Sequence, residues 1–248
     1  MKKLLIALCM LPGMVLANSG AHLDHAPIDQ SDKASLKRGA ETFVQYCMGC
    51  HAADYMRYNR IGKDLGMTDE EVMALISTRD IKGDHTKSGE LMKIAMTTDF
   101  AKTAFGTKVP GLTVVSRARG ADWLYTYLRT FYVDDKRPTG VNNVAFPDVG
   151  MPHVLWEKQG LQKAKFVTET DAGGIEKKVF EGMEQLTPGS LTKPEYDAFV
   201  ADLVNFMVYM GEPMQSQRKH IGVWVLLFLF GFTVLAYLLK KEYWKDVH

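Results

Sequence analysis

Read for the spacing of its apolar residues, the chain shows four amphipathic stretches, one hairpin pattern and an unbroken apolar run at each end. In SLKRGAETFVQYC, Leu36, Ala40, Phe43, Val44 and Cys47 recur at intervals of three and four, the stripe of a helix with one buried face. Asp32 or Ser31 stands where its N-cap belongs. MTDEEVMALI has the same character behind Thr68, and Glu71 three residues later predicts a capping box. GADWLYTYLRTFY predicts a third helix that begins near Asp122. The longest stripe is TKPEYDAFVADLVNFMVYMGEP. Pro194 suits its first turn, Tyr196, Phe199, Val200, Leu203, Val204 and Met207 form its apolar face, and Gly211 with Pro213 ends it. KFVTETDAGGIEKKVF reads instead as a hairpin turning at Asp171 to Gly174. From Arg137 to Gly160 the density of Gly, Pro and Asn predicts a loop. The expected body is therefore mainly α, with long loops and a small hairpin.

The two terminal runs lack any such stripe. MKKLLIALCMLPGMVLA has Lys2 and Lys3, an apolar centre, and Val15 and Ala17 at the small-residue positions of a signal-peptidase site. This predicts cleavage after Ala17, with Asn18 as the first mature residue. An uncleaved N-terminal anchor is the alternative, but the apolar run is short for a span. Cys9 is a poor lipoprotein site, because it comes early and follows bulky Leu8. At the other end, IGVWVLLFLFGFTVLAYLL (Ile221 to Leu239) has no charge, and its roughly 19 residues span roughly 28 Å as a helix, close to the hydrocarbon thickness. A soluble helix of that length would carry a polar stripe; this one has only Thr233, with Trp224 and Tyr237 of the interfacial kind. Basic residues flank both sides, so orientation follows from export of the N-terminus: the body lies outside and KKEYWKDVH faces the cytoplasm. The predicted organisation is a signal peptide (1–17), a periplasmic domain (18–213), a juxtamembrane segment (214–220), a transmembrane helix (221–239) and a cytoplasmic tail (240–248), anchored in the cell inner membrane.

Charge and cysteine content narrow the chemistry. A formal net charge of +1 gives no reason to expect a polyanion, and nucleic-acid binding is not predicted. Loss of Cys9 leaves Cys47 and Cys50, in CMGCH, as the mature chain's thiols. A disulfide across two residues would close a very tight loop. A structural zinc site wants a second pair of ligands at comparable spacing, and a redox dithiol wants a βαβ setting; the sequence offers neither. C-x-x-C-H in an exported chain reads as c-type haem attachment: two thiols so spaced form thioethers to the two vinyl groups, and His51 falls under the iron. A Met opposite that histidine would saturate the iron and suit electron transfer at a raised potential, whereas an open site would permit oxygen or peroxide chemistry. In FPDVGMPHVLW, Met151 sits between Gly150, which allows close backbone approach, and Pro152, which fixes φ. On loop context alone Met151 competes with gap-filling use, as one of 14 Met, and with His153 two residues on. His22, His25 and His85 lie in polar stretches and are expected to be exposed; His220 and His248 flank the anchor.

Four segments then carry a resemblance to a known family: RGAETFVQYCMGCHAADYMRYNRI, LTVVSRARGADWLYTYLRTFY, VAFPDVGMPHVLW, and EYDAFVADLVNFMVYMGEP with the anchor and LKKEYWKDVH. Together they resemble cytochrome c1, the haem subunit of ubiquinol:cytochrome c oxidoreductase, over essentially the whole mature chain. CMGCH alone is shared with every c-type cytochrome; the RAR segment, the GMP loop and the C-terminal anchor in that order are specific. The resemblance implies a class I cytochrome c-like haem domain with one covalent haem c. It makes Met151 the axial partner of His51, and Arg119 the cation that pairs with a haem propionate. The plain alternative for Arg119 is a surface charge beside a helix. The family commonly has a PPDLS-like stretch lining the haem before the RAR segment, where this chain has VPGLT, Val109 to Thr113. Pro110 and Leu112 are kept, so Pro110 is expected to line the haem, while Gly111 stands where a side-chain hydrogen bond would be lost.

The resemblance also implies a relay rather than bond chemistry. A Rieske iron–sulfur protein, reduced as quinol is oxidised in cytochrome b, would pass its electron to this haem, which reduces a c-type cytochrome, in a dimeric complex embedded in membrane lipid. The competing readings are the haem subunit of a terminal oxidase or nitric-oxide reductase, which more often resembles an N-terminal anchor followed by the haem domain, and a catalytic haem enzyme such as a peroxidase, whose familiar di-haem kind would show a second C-x-x-C-H.

Overall fold

The computed structural model describes residues 22–76, 85–170 and 176–246. The expected signal segment 1–17, the hairpin turn Asp171 to Gly174 and His248 lie outside them. Two helices far apart in sequence form the centre. The first, α1 (Lys33–Thr42), starts at Asp32, whose carboxylate accepts from the backbone N–H of Ala34 and Ser35. It runs directly into one π-helical turn (Phe43–Cys47). After β1 (Ala53–Arg57) come α2 (Tyr58–Leu65) and α3 (Asp69–Leu75), the latter opened by the expected capping box of Thr68 and Glu71. Then follow β2 (Leu91–Met92), paired antiparallel with β1, and α4 (Thr98–Phe105), α5 (Val115–Arg119) and α6 (Ala121–Arg129).

Helix α6 is shorter than its sequence pattern. Phe131–Val133 leave it to form β3, which pairs antiparallel with β4 (Val141–Asn143). Aromatic and β-branched residues suit a pleated strand once a partner is available, and that partner lies within the stretch expected to be loop. The same stretch also contains the short helix α7 (Trp156–Gln159). The predicted hairpin is present but long rather than small: β5 (Gly160–Thr170) and β6 (Glu176–Pro188) pair antiparallel from Gly160↔Pro188 to Thr170↔Glu176.

The second central helix, α8 (Lys193–Gly211), has Pro194 in its first turn and buries Tyr196, Val200, Leu203, Val204 and Met207, with Phe199 packed against the core's edge. It crosses α1 at Gly39, where a Cβ would lie 2.1 Å from the Asp202 carbonyl oxygen and 2.7 Å from Phe206 Cβ, so only glycine permits this approach. Phe43 and Phe206, both fully buried, meet across the crossing with ring centroids 5.7 Å apart. Each such side chain contributes about 1.5–3 kcal/mol by leaving water. Arg129 then ties the N-terminal segment, α6 and α8 together, its guanidinium 2.6 Å from both Asp24 and Asp197 and over the ring of Tyr125.

After Glu212, Pro213 and Met214 the chain enters α9 (Gln215–Tyr243), one continuous helix of 29 residues that extends beyond the expected span 221–239 at both ends. None of its residues is buried against the rest of the protein, and its length and composition make it the one candidate membrane span among the described residues.

Candidate haem site

The π turn closes with Met48 N–H donating to the Phe43 carbonyl, five residues back, and the chain then doubles over: Cys50 and His51 N–H both donate to the Cys47 carbonyl, at 3.1 and 2.8 Å. This brings Cys47, Cys50 and His51 to one cavity of about 370 Å³, within the range of small-ligand sites. Both thiols are free, and burial, with the neighbouring Cys50, pushes the Cys47 thiol up to about 12. His51 Nδ1 lies 2.8 Å from the Pro110 carbonyl oxygen. A carbonyl only accepts, so Nδ1 carries the proton and Nε2 keeps its lone pair for a metal. Burial also holds the His51 pKa below its ordinary value, favouring the neutral, ligating ring.

The VPGLT stretch is docked onto the chain just after the motif. Leu112 N–H donates to the Ala52 carbonyl at 2.8 Å, and Tyr55 N–H to Thr113 Oγ1 at 3.3 Å. At Gly111 a Cβ would come within 2.6 Å of Asp54 Oδ2, so the space an aspartate would need at this position already holds a carboxylate. Pro110 lines the cavity, and its carbonyl meets the histidine as well.

The other lining comes from α6 and the loop after β4. Met151 reaches the cavity beside Val149, Gly150, Pro152 and Val154. Its sulfur accepts a hydrogen bond from the Tyr127 hydroxyl at 3.3 Å. Burial raises the Tyr127 phenol, so it remains a donor throughout the physiological range. Two asparagines shape the loop. Asn143, 1 % exposed, donates to the Tyr127 carbonyl and accepts from the N–H groups of Ala145 and Phe146; Asn142 accepts from Asn143 and Asp148 N–H and donates to Asp134. The left-handed residue is Asp148, with φ of 62°, braced by Arg137 through both its carboxylate and its carbonyl. At Gly150 a Cβ would make only ordinary contacts with the protein, 3.6 Å to Thr107 and 3.8 Å to the Phe105 carbonyl.

His153, the sequence competitor of Met151, is turned away. It is buried, stacked face to face on Phe131 at 4.9 Å, and does not line the cavity; burial pushes its pKa down to about 4. His22, His25 and His85 are exposed, as expected. Arg119 lines the cavity with its guanidinium over Trp123 and Phe146, 5.0 and 5.6 Å from the ring centroids. Lys108, which no sequence motif marks, also lines it.

Two thiols and a correctly protonated imidazole, a thioether, apolar walls and two cations fit a haem with its propionates. Among the described residues, no group of three or more His, Cys, Asp or Glu side chains is placed to hold an ion by itself. The family model described as "Cytochrome C1 family" matches residues 23–247, from the N-terminal segment through the anchor. The chain belongs to the cytochrome c1 family. It is 49% identical to cytochrome c1 of Allochromatium vinosum over the full length of both chains. It is also 49% identical to a protein of Nitrosomonas europaea named ammonia monooxygenase gamma subunit, over all of this chain and 98% of that one. A third relative, named cytochrome b/c1, from Bradyrhizobium diazoefficiens, is 23% identical over 90% of this chain and 34% of its own length. Membership makes this a bc1-type electron-transfer haem subunit, found with cytochrome b and the Rieske protein, and implies a covalently bound haem c. The chain is an electron carrier within an oxidoreductase complex, and α9 fits the family's membrane anchor.

Proposed function

We propose that this chain takes electrons from a Rieske iron–sulfur protein and delivers them to a c-type cytochrome, from a class I cytochrome c-like domain held on the periplasmic face of the inner membrane. A haem bound there supplies reversible one-electron exchange. Cys47 and Cys50 would hold it covalently, and His51, through Nε2 with Nδ1 pinned by Pro110, and Met151 would ligate its iron. His/Met ligation leaves no open position for oxygen or peroxide and favours the reduced state. Arg119, over Trp123 and Phe146 at the cavity, is placed to pair with a propionate, with Lys108 as a second cation. The observation that carries the reading is the pairing of a proton-fixed His51 and a hydrogen-bonded Met151 on the walls of one apolar cavity.

The body lies outside, after removal of residues 1–17, and the tail after residue 239 faces the cytoplasm. Anchoring confines the site to the membrane surface and raises its effective concentration near its partners. The relative named cytochrome b/c1 supports cytochrome b as a neighbour; the proposed complex is a dimer. The family match extends through the C-terminal anchor, an arrangement that gives no support to an oxidase or nitric-oxide reductase subunit. Met151→Leu is expected to abolish the sulfur-to-iron charge-transfer band and to lower the midpoint potential; an unchanged spectrum removes Met151 as ligand. Purification of the membrane complex should bring b-type haem and a Rieske centre with this chain, and a copper-containing oxidase in their place would sink the proposal.

A further inference from the structure

We infer that Tyr127 tunes this site as a positioning residue, by donating its hydroxyl hydrogen to the Met151 sulfur at 3.3 Å and thereby holding the potential up. The inference rests on Met151 being the sixth ligand. A thioether sulfur has two lone pairs: one faces the metal and the second is open to a donor. A hydrogen bond on the second draws density from the sulfur, which then donates less to iron. The ferric state needs that donation more than the ferrous, so the bond favours reduction.

The donor is held too firmly to be an incidental contact. The Tyr127 ring stacks on Trp123 at 4.9 Å and 11° and meets Phe131 edge-on at 5.1 Å. Its backbone carbonyl accepts from Asn143 Nδ2 at 2.7 Å, and the Asn143 side-chain oxygen accepts from Ala145 and Phe146 at the start of the ligand loop. One buried amide therefore fixes donor and acceptor relative to each other.

The test is Tyr127→Phe in the membrane-bound holoprotein, which keeps the ring and removes the hydroxyl. Expected are a retained charge-transfer band, a redox equilibrium moved toward the ferric form about threefold, about 30 mV at the one-electron conversion, and weaker displacement of the methionine by added imidazole in the ferric state. A variant that merely loosened the loop would bind imidazole more tightly, so that result overturns the inference, as does an unchanged potential. Site-specific 3-fluorotyrosine at position 127, a more acidic donor of nearly the same shape, must shift the potential the opposite way; no shift, or the same sign, also overturns it, and this arm decides should Tyr127→Phe fail to hold haem. Absence of the charge-transfer band in the unaltered protein would instead count against Met151 ligation itself.

Discussion

Helices α8 and α9 follow one another with only Glu212, Pro213 and Met214 between them, and they place their apolar side chains in opposite surroundings. In α8, ten residues are buried against α1 and the other helices of the body; in α9 none is. Hydrophobicity alone does not separate the two. The polar residues do. On α8 they have distant partners: Asp202 binds Arg38, Asp197 binds Arg129, and Asn205, 1 % exposed, donates to the Asp29 carbonyl and Ser35 while accepting from Gln30. Between Ile221 and Leu239, α9 has no charge, and its Thr233 hydroxyl donates to the Leu229 carbonyl four residues back in its own helix. A helix built to pack in protein carries polar groups that need other elements. A helix built for lipid satisfies its polar groups within itself.

The largest effect should come from separating the two helices. Truncation after Gly211 is expected to move the haem domain from the membrane fraction to the soluble one, all or none, with its visible spectrum intact. Persistent attachment would mean that the body itself binds membrane or a membrane partner. Smaller, but large for one side chain, is Asn205→Ala: it leaves Ser35 Oγ without its donor and removes one of two bonds each at the Asp29 carbonyl and Gln30, which keep Asp32 N–H and the main-chain carbonyl of residue 205, and should cost about 1–3 kcal/mol, read as a fall of several degrees in the thermal midpoint of the haem domain. A loss within about 0.5 kcal/mol would mean that the polar groups of α8 do not depend on other elements. Smallest of all is Thr233→Val, expected to change stability by less than about 0.5 kcal/mol and to leave membrane extraction unaltered. A marked effect there would show that α9 packs on another membrane helix through that face.

What could be read from the sequence was what local spacing encodes. The Thr68–Glu71 capping box, the Asp32 cap and Pro194 in the first turn of α8 all depend on residues within a few positions of one another, and all appear where expected; the apolar 221–239 run lies within α9. The CMGCH motif is local too, and the structure brings its cysteines and histidine to the same cavity as Met151. What escaped depended on contacts between distant residues. His51 meets the Pro110 carbonyl across 59 positions, Tyr127 meets Met151 across 24, and Asn143 reaches back 16 to Tyr127. Trp123 and Tyr127, four apart on α6 and both lining the cavity, were the one helical-spacing signal that could have pointed to the donor. The end of α6 at Arg129 was missed for the same reason, since β3 exists only because β4 lies beside it. His153 looked like a ligand by its place in the loop, and only its stacking on Phe131 shows that it faces elsewhere.

The partner of His51 is a main-chain oxygen, and that has a consequence for how the site tolerates change. Every amino acid offers the same carbonyl, so a point substitution at residue 110 alters the wall but cannot delete the acceptor. The proton's place on the imidazole is inherited from the route of the backbone rather than from the identity of any side chain. Such a contact withstands drift in sequence and is vulnerable to changes in length: one residue inserted or removed between Thr107 and Leu112 would carry the oxygen away while leaving every ligand in place.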